Sequence, residues 1–313
     1  MPGVVVVDGR ATPGIASGWG PSPRPDRYRL PVTEPRRPER ALKRALFAVT
    51  VVGEVDLVPT DDGVVLPGSP VVLASWEHCR AALGSLPATH AVAPEVLTRW
   101  LRLTRLVADT PELVLADGAR VVGLPRGHAL HPGPDWVVER VHGEALDLGV
   151  GIRGLDATDG ERVVLVPPSA WAAAGLDPHR WWRAAVDRLE EMGGLAAARM
   201  RRSPDPVLRP MGDADVVTLL GSRVFRAAVA GAEGGMAAVA VPMRRRGWLR
   251  LSLLDPAFAP AAALASEPVD RGFARAVLVT AEEVALAGDG PWALAAALDG
   301  RLPAGDTAPS ARR

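Results

Sequence analysis

The stretch ALDLGVGIRGLDATDGERVVLV, Ala145–Val166, decides how the chain is read. It contains Gly149-Val150-Gly151-Ile152-Arg153-Gly154, a match to the GxGxxG pattern of dinucleotide-binding folds. In those folds the glycines turn a strand into a helix, and the helix N-terminus meets the pyrophosphate. Here the glycines lie partly inside the apolar run itself. Next in the chain are Asp159-Gly160, a tight-turn signal, and the β-type run RVVLV. The helix that the motif needs is missing. The stretch therefore reads as strand–turn–strand, with glycines in a twisted or bulged strand, and no cofactor is expected.

The same pattern recurs outward from this point. VDLVPTDDGVVLPG places Asp61-Asp62-Gly63 between two short apolar runs, and LVLADGARVVGLP (Leu113–Pro125) repeats strand, Asp-Gly and strand. MAAVAV and WLRLSLL flank Arg244-Arg245-Arg246-Gly247 as two further strands, with Trp248 and Arg250 facing away from Leu249, Leu251 and Leu253. Val4–Val7, Val71–Ala74, VVERV and AVLVT complete the strands.

Helices come in blocks between these runs. Arg40–Phe47 reads as a short helix, although Leu46–Val52 also reads as a strand. Ser75 caps SWEHCRAAL, and Pro94 opens PEVLTRWLRLTRLVAD, which gathers Leu97, Trp100, Leu101 and Val107 on one face. PSAWAAAGL stops at Gly175, Asp177 caps DPHRWWRAAVDRLEEM, and Gly193-Gly194 is expected to break that helix. DADVVTLLGSRVFRAAVA reads as one helix with Val217, Leu220 and Val224 on its core stripe. DPAFAPAAALA and a segment from Pro291 read as the last two.

Asp-Gly turns between strands favour antiparallel pairing. The expected fold is α+β, with mainly antiparallel sheets built from hairpins and the inserted helices packed on one face. Residues 1–40 form an N-terminal strand and a Pro/Gly/Arg-rich extended arm, 41–300 the globular region, and 301–313 a flexible tail. A division of the globular region into two subdomains would fall in the Gly/Pro stretch at 127–134, unless the hairpins on either side share one sheet.

The composition limits the chemistry. Thirty-six basic residues balance thirty-six acidic ones, so no global attraction to nucleic acid or an anionic membrane exists. Lys43 is the only lysine, and Asn and Gln are absent, which fits a GC-rich bacterial genome. Without Asn or Gln no carboxamide can serve an oxyanion hole, and no lysine sits in a phosphate-binding glycine loop. Cys79 is the only cysteine, so neither an intramolecular disulfide nor a Cys-rich zinc site forms. MPGVVVVDGR lacks a signal peptide's basic region, and no apolar run reaches the ~18 residues of a membrane span. A soluble, cytoplasmic bacterial protein is expected.

Three functional readings arise. The leading one is binding or scaffolding, without catalytic chemistry, toward a protein partner or, through the arm, a second copy. The next is an enzyme or sensor for a small phosphate or carboxylate ligand. Arg244, Arg245 and Arg246 would grip it, Trp248 would stack, and Arg223 and Arg226 on the preceding helix would join them. The third is a metal-dependent enzyme around His128, His131 and His142, with Glu139, Glu144 and Asp147 nearby. The pairs Glu190-Glu191 and Glu282-Glu283 read as exposed helix faces, and no G-x-S-x-G nucleophile elbow occurs.

Overall fold

The computed structural model describes residues 40–52, 55–69, 71–155, 162–203, 205–251 and 258–287. The expected N-terminal strand and most of its arm, the helix from Pro291 and the tail lie outside these residues.

β6 (Leu146–Arg153) is the strand from which the rest is built. Leu146, Leu148, Val150 and Ile152 point to one face, and Asp147, Gly149, Gly151 and Arg153 to the other, as the two-residue period of a strand requires. β4 (Ala119–Pro125) pairs antiparallel along the whole of one edge, from Ala119↔Ile152 to Pro125↔Leu146. β5 (Val137–Arg140) and β7 (Val163–Leu165) share the other edge end to end, also antiparallel. The strands on either side of the 127–134 loop, β4 before it and the β5–β6 hairpin after it, thus share one sheet.

The glycines of β6 make room for packing. A Cβ on Gly149 would come within 2.6 Å of Trp136 Cδ2 and Cζ2, and one on Gly151 within 2.7 Å of Val163 Cγ1 and 2.9 Å of Val122 Cγ2. Trp136 lies over this face and its Nε1–H donates to Val150 O at 2.9 Å. Val122, Leu124 and Trp136 form a small core there. On the opposite face Val150 and Ile152 join one large core, and Leu146 and Leu148 another.

The first large core collects α1 (Arg40–Val52), α2 (Trp76–Leu83) and α3 (Ala93–Asp109) around a small antiparallel sheet of β1 (Val58–Pro59), β2 (Gly63–Val65) and β3 (Val72–Ser75). The expected face of α3 is buried, and the Ser75 hydroxyl accepts from His78 N as a cap. α5 (Pro168–Ala173) packs on α3, and Trp100 Nε1–H donates to Ser169 Oγ at 3.0 Å.

The second core lies between α6 (Trp182–Arg202), α7 (Val216–Leu219), α8 (Arg223–Gly231) and a five-stranded antiparallel sheet. That sheet orders β12 (Val284–Leu286), β11 (Val277–Val279), β9 (Ala237–Met243), β10 (Arg246–Trp248) and β8 (Val207–Leu208). α9 (Phe258–Ala265) packs beside β9. The chain is α+β, and every named strand pair among the described residues is antiparallel.

Several local expectations are overturned. Leu113–Gly118 is not a strand: α4 (Glu112–Gly118) precedes β4. Only its Leu115 and Gly118 are buried, and Arg188 donates to the carbonyls of Asp117 and Ala119 (2.8 and 3.2 Å) at its C-terminus. The helix expected from Asp213 to Ala230 is two helices, because Ser222 starts a second one by accepting from Phe225 N. That break moves Phe225 into the core and leaves Val224 47% exposed. Leu249–Leu251 does not continue the strand, since β10 ends at Trp248 and Arg250 adopts φ 55°, and the rest of WLRLSLL lies outside the described residues. Trp248 and Leu249 are therefore both buried.

Gly193-Gly194 does not break α6, which runs through it for 21 residues. Gly193 is where α8 crosses, and a Cβ there would overlap Ser222 Oγ. One turn earlier Glu190 receives the Ser222 hydroxyl (2.7 Å) and the N–H groups of Arg223 and Val224 (2.8 and 3.1 Å). Its carboxylate thus satisfies the first amides of α8, where a helix favours negative charge. Gly194 faces open space. Gly193→Ala should lower stability in urea unfolding by ~1–3 kcal/mol through overpacking. Gly194→Ala should raise it by up to about 1 kcal/mol through helix propensity. Equal effects at both positions would contradict this packing.

Candidate functional site

The 213–218 segment runs along the free edge of β4. Asp213 accepts from Arg120 Nε at 2.5 Å, and the Thr218 hydroxyl accepts from Gly123 N at 3.0 Å. Asp215 caps α7 through Thr218 N (2.7 Å), and its other oxygen pairs with Arg244 Nη2 at 2.7 Å. Arg244 and Arg245 connect β9 to β10, whose register pairs Arg246 with Met243. The Arg244 carbonyl accepts from Val216 N (2.8 Å), and its amide donates to Asp270 O (2.8 Å). The connection is thereby fixed against α7.

Both arginines open onto a groove of about 1650 Å³. One wall is the outer side of α3, with Val96, Arg99, Arg102, Leu103 and Leu106. The lining also takes in β7, preceded by Arg162, and the loop from Ala129 to Pro132. Pro210, the 212–215 segment, Asp270 and the two arginines line it as well. Arg99, Arg102, Arg162 and β7 are not among the sites expected from sequence, because nothing in their spacing brings α3 and β7 together.

The six arginine-cluster residues do not converge. Arg244 is largely buried in its ion pair, while Arg245 is exposed within the groove. Arg246 is exposed but does not line it, and Trp248 is 7% exposed and packed in the sheet. Arg226 donates to the carbonyls of Leu220, Gly221 and Ala281 (2.8, 2.7 and 3.1 Å), and burial lowers its guanidinium below the usual arginine range. Arg223 pairs with Glu282 in the β11–β12 turn. That turn adjoins the Ala237 end of β9, and Arg244 follows its Met243 end. Seven strand residues put the two ends ~20 Å apart.

The three histidines also go separate ways. His128 is buried; its Nδ1 accepts from Leu130 N and its Nε2 faces Arg271 O at 2.9 Å. His131 lines the groove, but its Nδ1 accepts from Gly133 N and its Nε2 faces Asp147 at 3.6 Å. Asp147 lies under the sheet with Arg140 Nε at 2.6 Å and raises that guanidinium's pKa by hydrogen bond and charge. Among the described residues, only Nδ1 of His131 is within hydrogen-bond distance of a partner, and Nε2 stands beside the Asp147 carboxylate. His142 is exposed, as is Glu139, and Glu144 pairs with Arg126 at the surface. No group of three potential metal ligands occurs among the described residues. Burial drives the Cys79 thiol to about 12, so it is unreactive in the folded chain. No helix among the described residues is long and apolar enough to cross a membrane.

No protein-family model matches the chain, and no curated protein or solved structure does either.

Asp270 lines the groove beside Arg244 and Arg245. Burial raises its carboxyl above the usual value of 3.8, more than Arg244 and Arg245 lower it. The folded chain thus holds this proton to higher pH than the unfolded chain does. Asp270's contribution to stability falls as pH rises from 3.8 through the raised value, and is level above it. Asp270→Asn should therefore gain stability relative to wild type across that rise in urea titrations. A relative loss over the same range would contradict the burial of this carboxyl.

Proposed function

We propose that the chain is a binding protein whose groove between α3 and β7 holds a segment of a partner polypeptide, without catalysing a reaction on it. The observation that carries this is the groove's mixed lining together with its size. A small-molecule site encloses roughly 300–1,000 Å³, whereas this groove is about 1650 Å³. Leu103, Leu106 and Val164 supply apolar surface, and arginines border it.

The charges favour an acidic segment. Asp213 is held by Arg120 and Arg153, and Asp215 by Arg244. The other carboxylates of the lining are Glu95 and Asp270, against Arg99, Arg162 and Arg245. Of the groove's ionisable groups, Asp213 and Asp215 are committed to structural bonds, His131 Nδ1 accepts from Gly133 N, and Asp270 lies beside Arg244 and Arg245. A small anion at the Arg244–Arg245 connection fits less well, since Asp215 already neutralises Arg244 and Asp270 lies beside both. Action inside a bacterial cell is part of this reading, supported by the composition and the single buried cysteine.

Selection of short random peptides on the full chain tests the reading. Enriched sequences should combine Asp or Glu with apolar residues. Arg99→Glu should weaken them by ~10-fold or more, and Leu113→Glu, on exposed α4 outside the groove, should not. Enrichment insensitive to Arg99, or none at all, would contradict it. Stabilisation by phosphate or citrate that Arg245→Ala abolishes would favour the anion reading instead.

A further inference from the structure

Resting on the groove reading, the geometry points to β7 as a docking edge: we infer that an acidic, apolar-alternating peptide binds as an added β-strand along Val163–Leu165. The direction of the backbone groups of β6 sets which groups of β7 are left over. Gly123 sits opposite Leu148, yet its N–H leaves the ladder for the Thr218 hydroxyl. Leu148 must then direct its own N–H and C=O away from β4, toward the β5/β7 edge. Val150 has the same parity, and its carbonyl does accept from Trp136 on that side. The Leu146 carbonyl accepts from Val141 N there too, whereas the Ala145 carbonyl turns to Arg126 N beside β4. Ile152 follows Val150 by two residues, so it bonds across to Val164, its register partner.

Val163 and Leu165 alternate with Val164 and must turn their N–H and C=O groups outward. No described residue pairs with that outer edge. All three residues line the groove that α3 also lines. Two outward N–H and two outward C=O groups are what an added strand bonds to. The side chains of Val163 and Leu165 pack on the small core of Val122, Leu124 and Trp136, so the edge is held rigidly. An incoming strand would carry alternate side chains toward Leu103 and Leu106, and its flanking carboxylates toward Arg99 and Arg245.

The test uses the full chain and the capped peptide EVTVTVE, an analogue N-methylated at alternate backbone nitrogens, and the basic counterpart KVTVTVK. EVTVTVE should slow amide exchange at Val163 and Leu165 while leaving Val164 unchanged. N-methylation on the bonding edge should weaken binding by at least ~10-fold, and KVTVTVK should bind at least as weakly. The inference is overturned if EVTVTVE fails to bind, or binds without slowing Val163 and Leu165. If library-selected peptides still depend on Arg99 in that case, the groove reading survives and only strand addition falls. If neither behaves as expected, both fall.

Discussion

The rest of the structure depends on β6 having no room for side chains at Gly149 and Gly151. Those two positions let Trp136, Val122 and Val163 close directly onto the backbone. The opposite face of the same eight residues feeds both large cores. One strand thereby anchors β4 on one edge and β5 and β7 on the other. A helix after Gly154, as a dinucleotide site requires, would remove β7 and with it the wall of the groove.

The groove follows from how the edges of this sheet are finished. The free edge of β4 is covered by the 213–218 segment, through Arg120–Asp213 and Gly123–Thr218, as natural sheets protect exposed edges. The same segment presents Asp215 to Arg244 and fixes the β9–β10 connection in the groove's lining. β7 has no such cover among the described residues. The two edges of one sheet are thus treated differently, and α3, tied to α5 by Trp100 and Ser169, lines the same groove as β7.

How much of this is legible in the sequence depends on whether a feature is local. Asp61-Asp62-Gly63, the Ser75 cap and the apolar face of α3 are readable because backbone preference and periodicity act within a few residues. The α+β class follows from the same signals. Gly193-Gly194 misleads because glycine disfavours helix locally, whereas Gly193 serves a crossing by Ser222, far away in the chain. Ser222 itself looks like a mid-helix residue in sequence, since the carboxylate that receives the freed amides belongs to the distant Glu190. Arg244 and Arg245 stand out as a run, but the run does not say that one is locked to Asp215 and the other faces the groove. Arg99 and Arg162 carry no signal, since only folding brings α3 and β7 to one groove.

Among the described residues no strand pairs with the outer edge of β7, and the proposed binding rests on that edge. Amide exchange of the unliganded full chain, resolved residue by residue, tests it most directly. The expected pattern is slow exchange at Val164, which bonds to Ile152, and fast exchange at Val163 and Leu165. Equal, strong protection at all three would mean that the edge is already covered, and would contradict it.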